Sequence, residues 1–310
     1  MYSIIVINCN GGSLLVDCLT SVFRHTVNFE LILVDNASFD GSFETAVRLF
    51  PRITSIKNRS NLGFARANNI GIRASRGEWI VLLNPDTRVT SGWLEALAGC
   101  TRVGKNVGIV TPKLLRKDEK TIDSTGQSFD FRTALTRDRG AGEPDHGQYE
   151  EVQEVPSCSF ACALIARRLF DDVGFLDERM VIYYEDVDLC LRGRIAGWRV
   201  LYCPRSVIYH SRGGLTPVGF IRVQRQAVAY RLRIILKCYG LRNVILLGAA
   251  RFIRDVVSTV AGIKNNDTAY SYGYIRSPFW NIFHLPIRER ILAQSRRRVS
   301  DEEIANLSVR

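Results

Sequence analysis

The chain has 310 residues, 46% hydrophobic and 24% charged, with a net charge of +11. That is ample for a sizeable core, in one large domain with an appendage or in two domains. No stretch reaches the roughly 18 uninterrupted apolar residues of a membrane span. The charge is uneven: residues 1–216 carry 26 basic and 25 acidic side chains, whereas residues 217–310 carry 16 and 6. Any anionic surface is therefore expected at the C-terminal third. The eight cysteines are scattered with no CxxC pair, which argues for buried thiols in a reducing compartment. No basic segment followed by a long apolar region opens the chain, so no signal peptide is expected.

In chain order, Ser3–Asn8 reads as a buried strand, and Leu14, Leu15, Cys18, Leu19, Val22 and Phe23 as a helix capped by Ser13. Glu30–Val34 is a second strand ending in Asp35-Asn36-Ala37-Ser38. A helix from Ser42, a short strand over 53–56, the loop Asn61-Leu62-Gly63 and a helix from Phe64 follow. The run Trp79–Leu83 reads as a strand buried on both faces. This alternation predicts parallel βαβ units in an α/β fold, with polar strand ends gathered on one edge. Neither GxGxxG nor a P-loop lysine is present, so dinucleotide and Walker NTPase folds are not supported.

Two acidic positions carry the chemistry. The apolar run ends in Asn84-Pro85-Asp86, where proline stiffens the turn and a carboxylate projects beyond a strand end, suited to a metal–phosphate contact. Glu185, Asp186 and Asp188 then crowd the start of a helix. The helix dipole favours their ionised form there, which suits a base, although capping and an ion pair with Arg192 or Arg194 account for the same residues. Residues 116–154 read as an extended, partly mobile excursion over the site. Cys158–Ala166 reads as a core strand in which Cys158 and Cys162 pack without metal. Residues 196–203 and 207–211 read as two further strands, the second ending in His210.

The ordered series Asn8-Cys9-Asn10-Gly11, Asp35-Asn36-Ala37-Ser38, Asn61–Asn69, Asn84-Pro85-Asp86, Glu185–Asp188 and Tyr209-His210 resembles family 2 glycosyltransferases of the GT-A fold, closest to the bacterial rhamnosyltransferase-like branch. The similarity covers residues 3 to about 215. It implies a Rossmann-like, mostly parallel sheet with helices on both faces, plus a C-terminal helical extension. The implied donor-holding residues are Asn8, Asp35, Asn36, Asn61, Gly63, Arg66, Asn69, Asn84 and Asp86. By the same resemblance Asp86 and His210 would bind Mg²⁺ or Mn²⁺, Asp186 would be the general base, and Glu185 and Asp188 would position the acceptor or support the base. The departure is Asn84, where many relatives carry a first Asp.

The implied organisation is a glycosyltransferase domain over 1–216, its nucleotide half about 1–115 and its acceptor half about 116–216, followed by a basic helical region over 217–310. The implied activity is inverting transfer from a dTDP- or UDP-sugar to a polyprenyl-linked glycan or polysaccharide. Arginines interleaved with apolar residues after 217 suit an anionic membrane surface, giving an expected place at the cytoplasmic face of the inner membrane; packing on the core explains the same residues. No nucleic-acid module is recognisable. The alternatives are a non-catalytic nucleotide-sugar or polyanion-binding protein and a nucleotidyltransferase.

Overall fold

The computed structural model describes residues 1–211, 220–264 and 268–307, without the side chains of 220–227 and 268–273. The expectations placed on the side chains of Phe220, Ile221, Arg222, Arg225, Tyr270 and Tyr272 lie outside the described residues.

The first 83 residues alternate as their spacing predicts: β1 (Tyr2–Asn8), α1 (Gly12–His25), β2 (Phe29–Asp35), α2 (Ser42–Leu49), β3 (Thr54–Lys57), α3 (Phe64–Ala74) and β4 (Trp79–Leu83). Then come β5 (Thr87–Val89), α4 (Trp93–Cys100), β6 (Val107–Arg116), β7 (Ile122–Ser124), β8 (Gln127–Asp130), β9 (Leu135–Asp138) and β10 (Gln153–Glu154). Next come β11 (Cys162–Ala166), α5 (Arg167–Val173), α6 (Glu185–Ile195) and β12 (Arg199–His210). The extension is helical: α7 (Phe220–Cys238), α8 (Leu241–Lys264), α9 (Thr268–Phe283), α10 (Ile287–Ser295) and α11 (Asp301–Leu307).

The main sheet runs β10-β12-β6-β11-β4-β1-β2-β3, with β5 added to β12 and β7 to β6. Along that path, among the described residues, only β10 and β11 run against the rest. The parallel strands therefore deliver Asn8, Asp35, Leu83 and His210 to one edge. Side-chain alternation feeds two cores. Ile4, Val6, Leu33 and Val81 pack with Leu15, Leu19 and Trp93 on one face. Ile5, Val34, Ile80 and Leu82 pack with Ile72, Leu169 and Leu189 on the other. Each such buried aliphatic side chain contributes about 1.5–3 kcal/mol.

Three expectations need correction. Ser13 does not cap α1; the helix starts at Gly12, whose N–H donates to Asp40 Oδ2 at 2.9 Å, while Asn8 Oδ1 accepts the Gly11 N–H at 3.0 Å. The two strands expected over 196–211 are one long strand, β12, whose register shifts between Cys203 and Val207. The 116–154 excursion is strapped down. It contains four short strands, and buried Lys113 pairs with Asp145 (3.0 Å) and Glu150 beneath it. All eight cysteines are free and seven are buried, so Cys158 and Cys162 are packing residues as expected.

The two readings of the C-terminal third fall on different helices. α7 belongs to the core: Tyr230, Ile234 and Ile235 pack against Val187, Leu191 and Ile195 of α6 and Phe129 of β8. Buried charges reinforce this seam. Lys237 Nζ lies 2.7 Å from Asp188 Oδ1 and also pairs with Asp177, and Arg192 Nε donates to Asp188 Oδ2 at 2.8 Å. Arg233 bridges Asp177 (2.7 Å) and Glu289 (2.9 Å). By contrast, α8 and α9 expose Ile245, Ile253, Val257, Ile263, Phe279 and Phe283. Among the described residues no helix is long and apolar enough to cross a membrane.

Burial would raise the Asp177 carboxyl pKa, but Lys237 and Arg233 outweigh it and hold the pKa well below the usual carboxylate range. A depressed pKa contributes stability above the unfolded value near 4 and loses it as pH falls through the folded value. Replacing Lys237 by Met removes the cation shared by two buried carboxylates, leaving Asp177 with Arg233 and Asp188 with Arg192. The expected result is a loss of about 3–5 kcal/mol of unfolding free energy, read as a lower urea midpoint at neutral pH.

Candidate functional site

The edge formed by the parallel strand ends is built from amides and carboxylates that first satisfy one another. Asn8, fully buried at the end of β1, donates to Asp35 Oδ1 (2.8 Å), Ser38 Oγ (3.0 Å) and Ser42 Oγ (2.9 Å). Asp35 Oδ2 accepts the Ser38 N–H at 3.0 Å, closing the turn after β2. Asn36 donates to Asn61 Oδ1 (3.1 Å) and Gly63 O (3.2 Å), so the second turn holds the third. Gly63 has φ +81°, and a Cβ there would stand 2.5 Å from Val181 Cγ1 and 2.7 Å from its carbonyl oxygen. Only glycine lets the loop press so closely on the 174–184 segment, where Phe64 N–H donates to Val181 O at 2.7 Å.

The structure separates residues that sequence reasoning grouped. Arg66 is exposed, with Glu178 Oε2 3.7 Å from its Nε. Asn69 does not face the crevice. It is buried, donates to Leu176 O (2.9 Å) and Glu178 Oε1 (3.0 Å), and accepts from Leu176 N (3.0 Å). Its expected donor contact is corrected to a tie between α3 and the 174–184 segment. Asp188 is likewise corrected as an acceptor contact: it is wholly buried and ion-paired with Arg192 and Lys237.

At the next strand end, Asn84 N–H donates to Ala161 O (2.9 Å), and the Asn84 carbonyl accepts from Thr87 Oγ1 (2.6 Å). This rigid turn feeds β5, which pairs antiparallel with the end of β12 so that Thr87 opposes His210. That pairing brings His210 Nε2 to 3.4 Å from Asp86 Oδ1. The other ring nitrogen, Nδ1, lies 2.8 Å from Asp123 Oδ2 on β7. Burial opposes charge on His210, but Asp123 and Asp86 outweigh it and lift the pKa to about 9. Asp123 was missed by sequence reasoning because it sits in the polar excursion, with no motif to single it out.

A carboxylate oxygen and an imidazole nitrogen this close suit one divalent ion, and Asp123 orients the ring from behind. Among the described residues no group of three His, Cys, Asp or Glu converges on a metal position. Two protein ligands leave the remaining positions to water and phosphate oxygens, the usual pattern for Mg²⁺ beside a phosphate.

Across the crevice, Tyr183 and Tyr184 adopt φ of 70° and 68°, an uncommon left-handed pair for bulky residues. They turn the chain sharply into α6, whose first turn holds Glu185 and Asp186. Asp186 Oδ1 accepts the Val187 N–H at 2.7 Å. Burial pushes Asp186 up to about 7, with the Val187 N–H opposing and the charge of Asp138 adding to the rise. The expectation that the helix dipole keeps it strongly ionised is corrected: desolvation wins. Glu185 is buried, its Oε2 has no hydrogen-bond partner among the described residues, and burial and Asp186 push its pKa well up.

A mostly parallel sheet with helices around it, gathering Asn8, Asp35 and His210 at one edge of strand ends, is a GT-A type architecture. Residues 3–174 match the family model described as Glycosyl transferase family 2, and the chain belongs to that family. It is 29% identical over 208 residues to an N-acetylglucosaminyl-diphospho-decaprenol L-rhamnosyltransferase of Mycobacterium tuberculosis, covering 60% of this chain and 67% of that one. An uncharacterized protein of Sinorhizobium fredii is 31% identical over 197 residues, 59% of this chain, which spans only 21% of that protein's length. The crystal structure of GalNAc-T7 with UDP, GalNAc and Mn²⁺ superposes with a TM-score of 0.59 at 18% identity, covering 76% of this chain and 48% of that one. A Pyrobaculum calidifontis mannosyltransferase in complex with GDP-Man and Mn²⁺ gives 0.56 at 13% identity, covering 99% and 85%.

Removing the carboxylate behind His210 tests its orienting role. Asp123→Asn is expected to weaken Mn²⁺ binding about 10–100-fold in a metal titration, with the fold retained by circular dichroism.

Proposed function

We propose that the chain is an inverting, divalent-metal-dependent glycosyltransferase. It would transfer a sugar from a dTDP- or UDP-sugar to a hydroxyl of a polyprenyl-linked glycan or polysaccharide. Rhamnose is the candidate sugar because the M. tuberculosis relative is a rhamnosyltransferase. The observation that carries the reading is the β5–β12 pairing at the strand-end edge, which brings His210 Nε2 to 3.4 Å from Asp86 Oδ1. Asp86 would face the phosphate, and Asp186, at the start of α6, would face the acceptor on the other side.

The chemistry follows from that opposition. Mg²⁺ or Mn²⁺ held by Asp86 and His210 would stabilise charge growing on the leaving nucleoside diphosphate. Asp35, Asn36, Asn61 and Gly63 line the strand ends where the nucleotide is held, with Asn8 bracing Asp35 and Arg66 at the rim. Asp186 takes the proton of the acceptor hydroxyl as that oxygen bonds to the anomeric carbon. The bond from that carbon to the diphosphate breaks on the far side, inverting the centre through an oxocarbenium-like transition state. Glu185 and the buried Asp188–Arg192 pair keep Asp186 in place. A pKa near neutrality serves this role, because the group is ionised when needed yet basic enough to accept a proton.

The face of α8 and α9 supports a location at the cytoplasmic side of the inner membrane. Phe252, Ile253, Phe279 and Phe283 are 50–81% exposed on the segment carrying the excess of arginines, which suits in-plane contact with anionic lipid.

The test is a screen of nucleotide sugars with Mn²⁺ and membrane lipid extract, following nucleoside diphosphate release. One donor should give release that disappears with chelator and in Asp86→Ala. Pyrophosphate release would indicate nucleotidyl transfer, and silence across all donors would favour a binding protein. In the active system kcat should fall about tenfold per pH unit below about 7, because Asp186 is then protonated. Asp186→Asn should lower turnover about 10²–10⁴-fold with donor affinity unchanged; an unaltered rate would remove Asp186 as the base.

A further inference from the structure

The helix α8 reverses the polarity of a helix in a water-soluble domain. From residue 251 onward its buried side is polar: Arg251, Asp255 and Thr259, one turn apart, are 1–8% exposed. Arg251 pairs with Asp255 at 2.7 Å, and Thr259 Oγ1 donates to the Asp255 carbonyl oxygen at 2.8 Å. This stripe is turned to the protein. α8 packs on α9 and α7, and the Arg251 guanidinium lies 5.9 Å from the centroid of the Tyr274 ring on α9. The buried side of α9 is polar too, where Asn281 Nδ2 donates to Ala229 O of α7 and to Ser277 O, both at 2.9 Å. The outward side is apolar. At about 3.6 residues per turn, Ile253, Val256, Val257, Val260 and Ile263 lie on the side of α8 away from the stripe, and all are 47–62% exposed. Ile275, Phe279, Ile282 and Phe283 of α9 are 49–81% exposed.

Polar side chains turned inwards and apolar ones outwards are the arrangement of helices surrounded by hydrocarbon. In water, contiguous apolar surface on this scale marks an interaction site. The charges around it decide what the partner is. Between Arg242 and Lys264 the exposed side of α8 carries one charge, Arg254, and the exposed side of α9 from Tyr274 to Phe283 carries Arg276. Among these described residues no acid is exposed. A second copy of the chain would therefore set like charges against one another with no carboxylate to meet them. An anionic bilayer answers both features, with hydrocarbon for the apolar side and headgroup charge for the cations. Arginine and lysine at the flanks can lay their stems along the helix and keep their charge at headgroup level. Among the described residues no helix is long and apolar enough to cross a membrane, so the two helices fit within one leaflet.

We propose that α8 and α9 are inserted among the acyl chains of one leaflet of an anionic bilayer, with the Arg251–Asp255–Thr259 stripe turned to the protein and Arg242, Arg254, Lys264 and Arg276 at the headgroups. This rests on the membrane location proposed above and deepens it: the hold is apolar burial, with charge as a supplement, and not adsorption of a basic surface.

The experiment floats the full chain with phosphatidylcholine vesicles, with and without phosphatidylglycerol, at low salt and at about 1 M salt, where charges are screened beyond about 3 Å. Wild type, Val257→Glu and Arg254→Gln are compared, with circular dichroism and the urea midpoint reporting an intact fold. Wild type should float with the anionic vesicles and stay bound in high salt. Val257→Glu, on the outward side, should weaken binding at least about tenfold in either salt. Arg254→Gln should weaken it only about fivefold, and only with phosphatidylglycerol at low salt. Release of wild type by salt, with Val257→Glu binding equally well, would overturn insertion and leave a membrane-adsorbed protein. Failure of wild type to float with any vesicle would count against the membrane location itself. A dimer in vesicle-free solution that Val257→Glu dissociates, with no flotation, would overturn the proposal and assign the face to a second copy of the chain.

Discussion

Lys237 holds the architecture together. Its ammonium is the shared counter-charge for Asp177, in the loop before α6, and Asp188, in the first turn of α6. Arg192 of α6 also pairs with Asp188, and Arg233 of α7 with Asp177, so two buried carboxylates meet three cations. Two of those cations, Lys237 and Arg233, arrive only when α7 docks. A helix that belongs by sequence to a basic C-terminal extension is thus a structural component of the acid-bearing helix, and the position of Asp186, two residues before Asp188, is inherited from that docking.

Much of the fold was legible because local rules act on local sequence. Ile4–Ile7, Leu31–Val34 and Ile80–Leu83 are continuous apolar runs at βαβ spacing, and turn residues punctuate them where the strands end. What remained hidden depends on long-range pairing. β11 enters the sheet against the general direction, and β12 is continuous because a bulge absorbs Pro204, features that no short window displays. The same holds at the site. Asp86 and Asp186 stood out as acids at breaks in apolar periodicity. Asp123 did not, because its meaning comes only from His210, 87 residues later and two strands away. Asn69 was misread in the opposite sense: a polar residue inside a motif looks exposed until the partners that bury it are known, whereas the Asp188–Arg192 pair was among the alternatives the sequence offered.

The two acids of the crevice are tuned by different surroundings. Asp86 faces an imidazole whose other nitrogen is committed to Asp123. Asp186 lies where burial and neighbouring acids make negative charge expensive. The helix dipole and the N–H group of Val187 oppose that effect without reversing it. In the proposed reaction one carboxylate would hold a metal and the other move a proton, and neither assignment needs a special residue type.

The contact between Gly63 and Val181 joins two loops that would serve different substrates in the proposed reaction. No side chain cushions it, and the Phe64 N–H to Val181 O bond fastens it. A nucleotide that displaces residues 61–63 must therefore carry the segment leading into Tyr183 and Tyr184 with it. Binding in one half is then thermodynamically linked to binding in the other, and the linkage is reciprocal: whatever factor the donor applies to acceptor affinity, the acceptor returns to the donor.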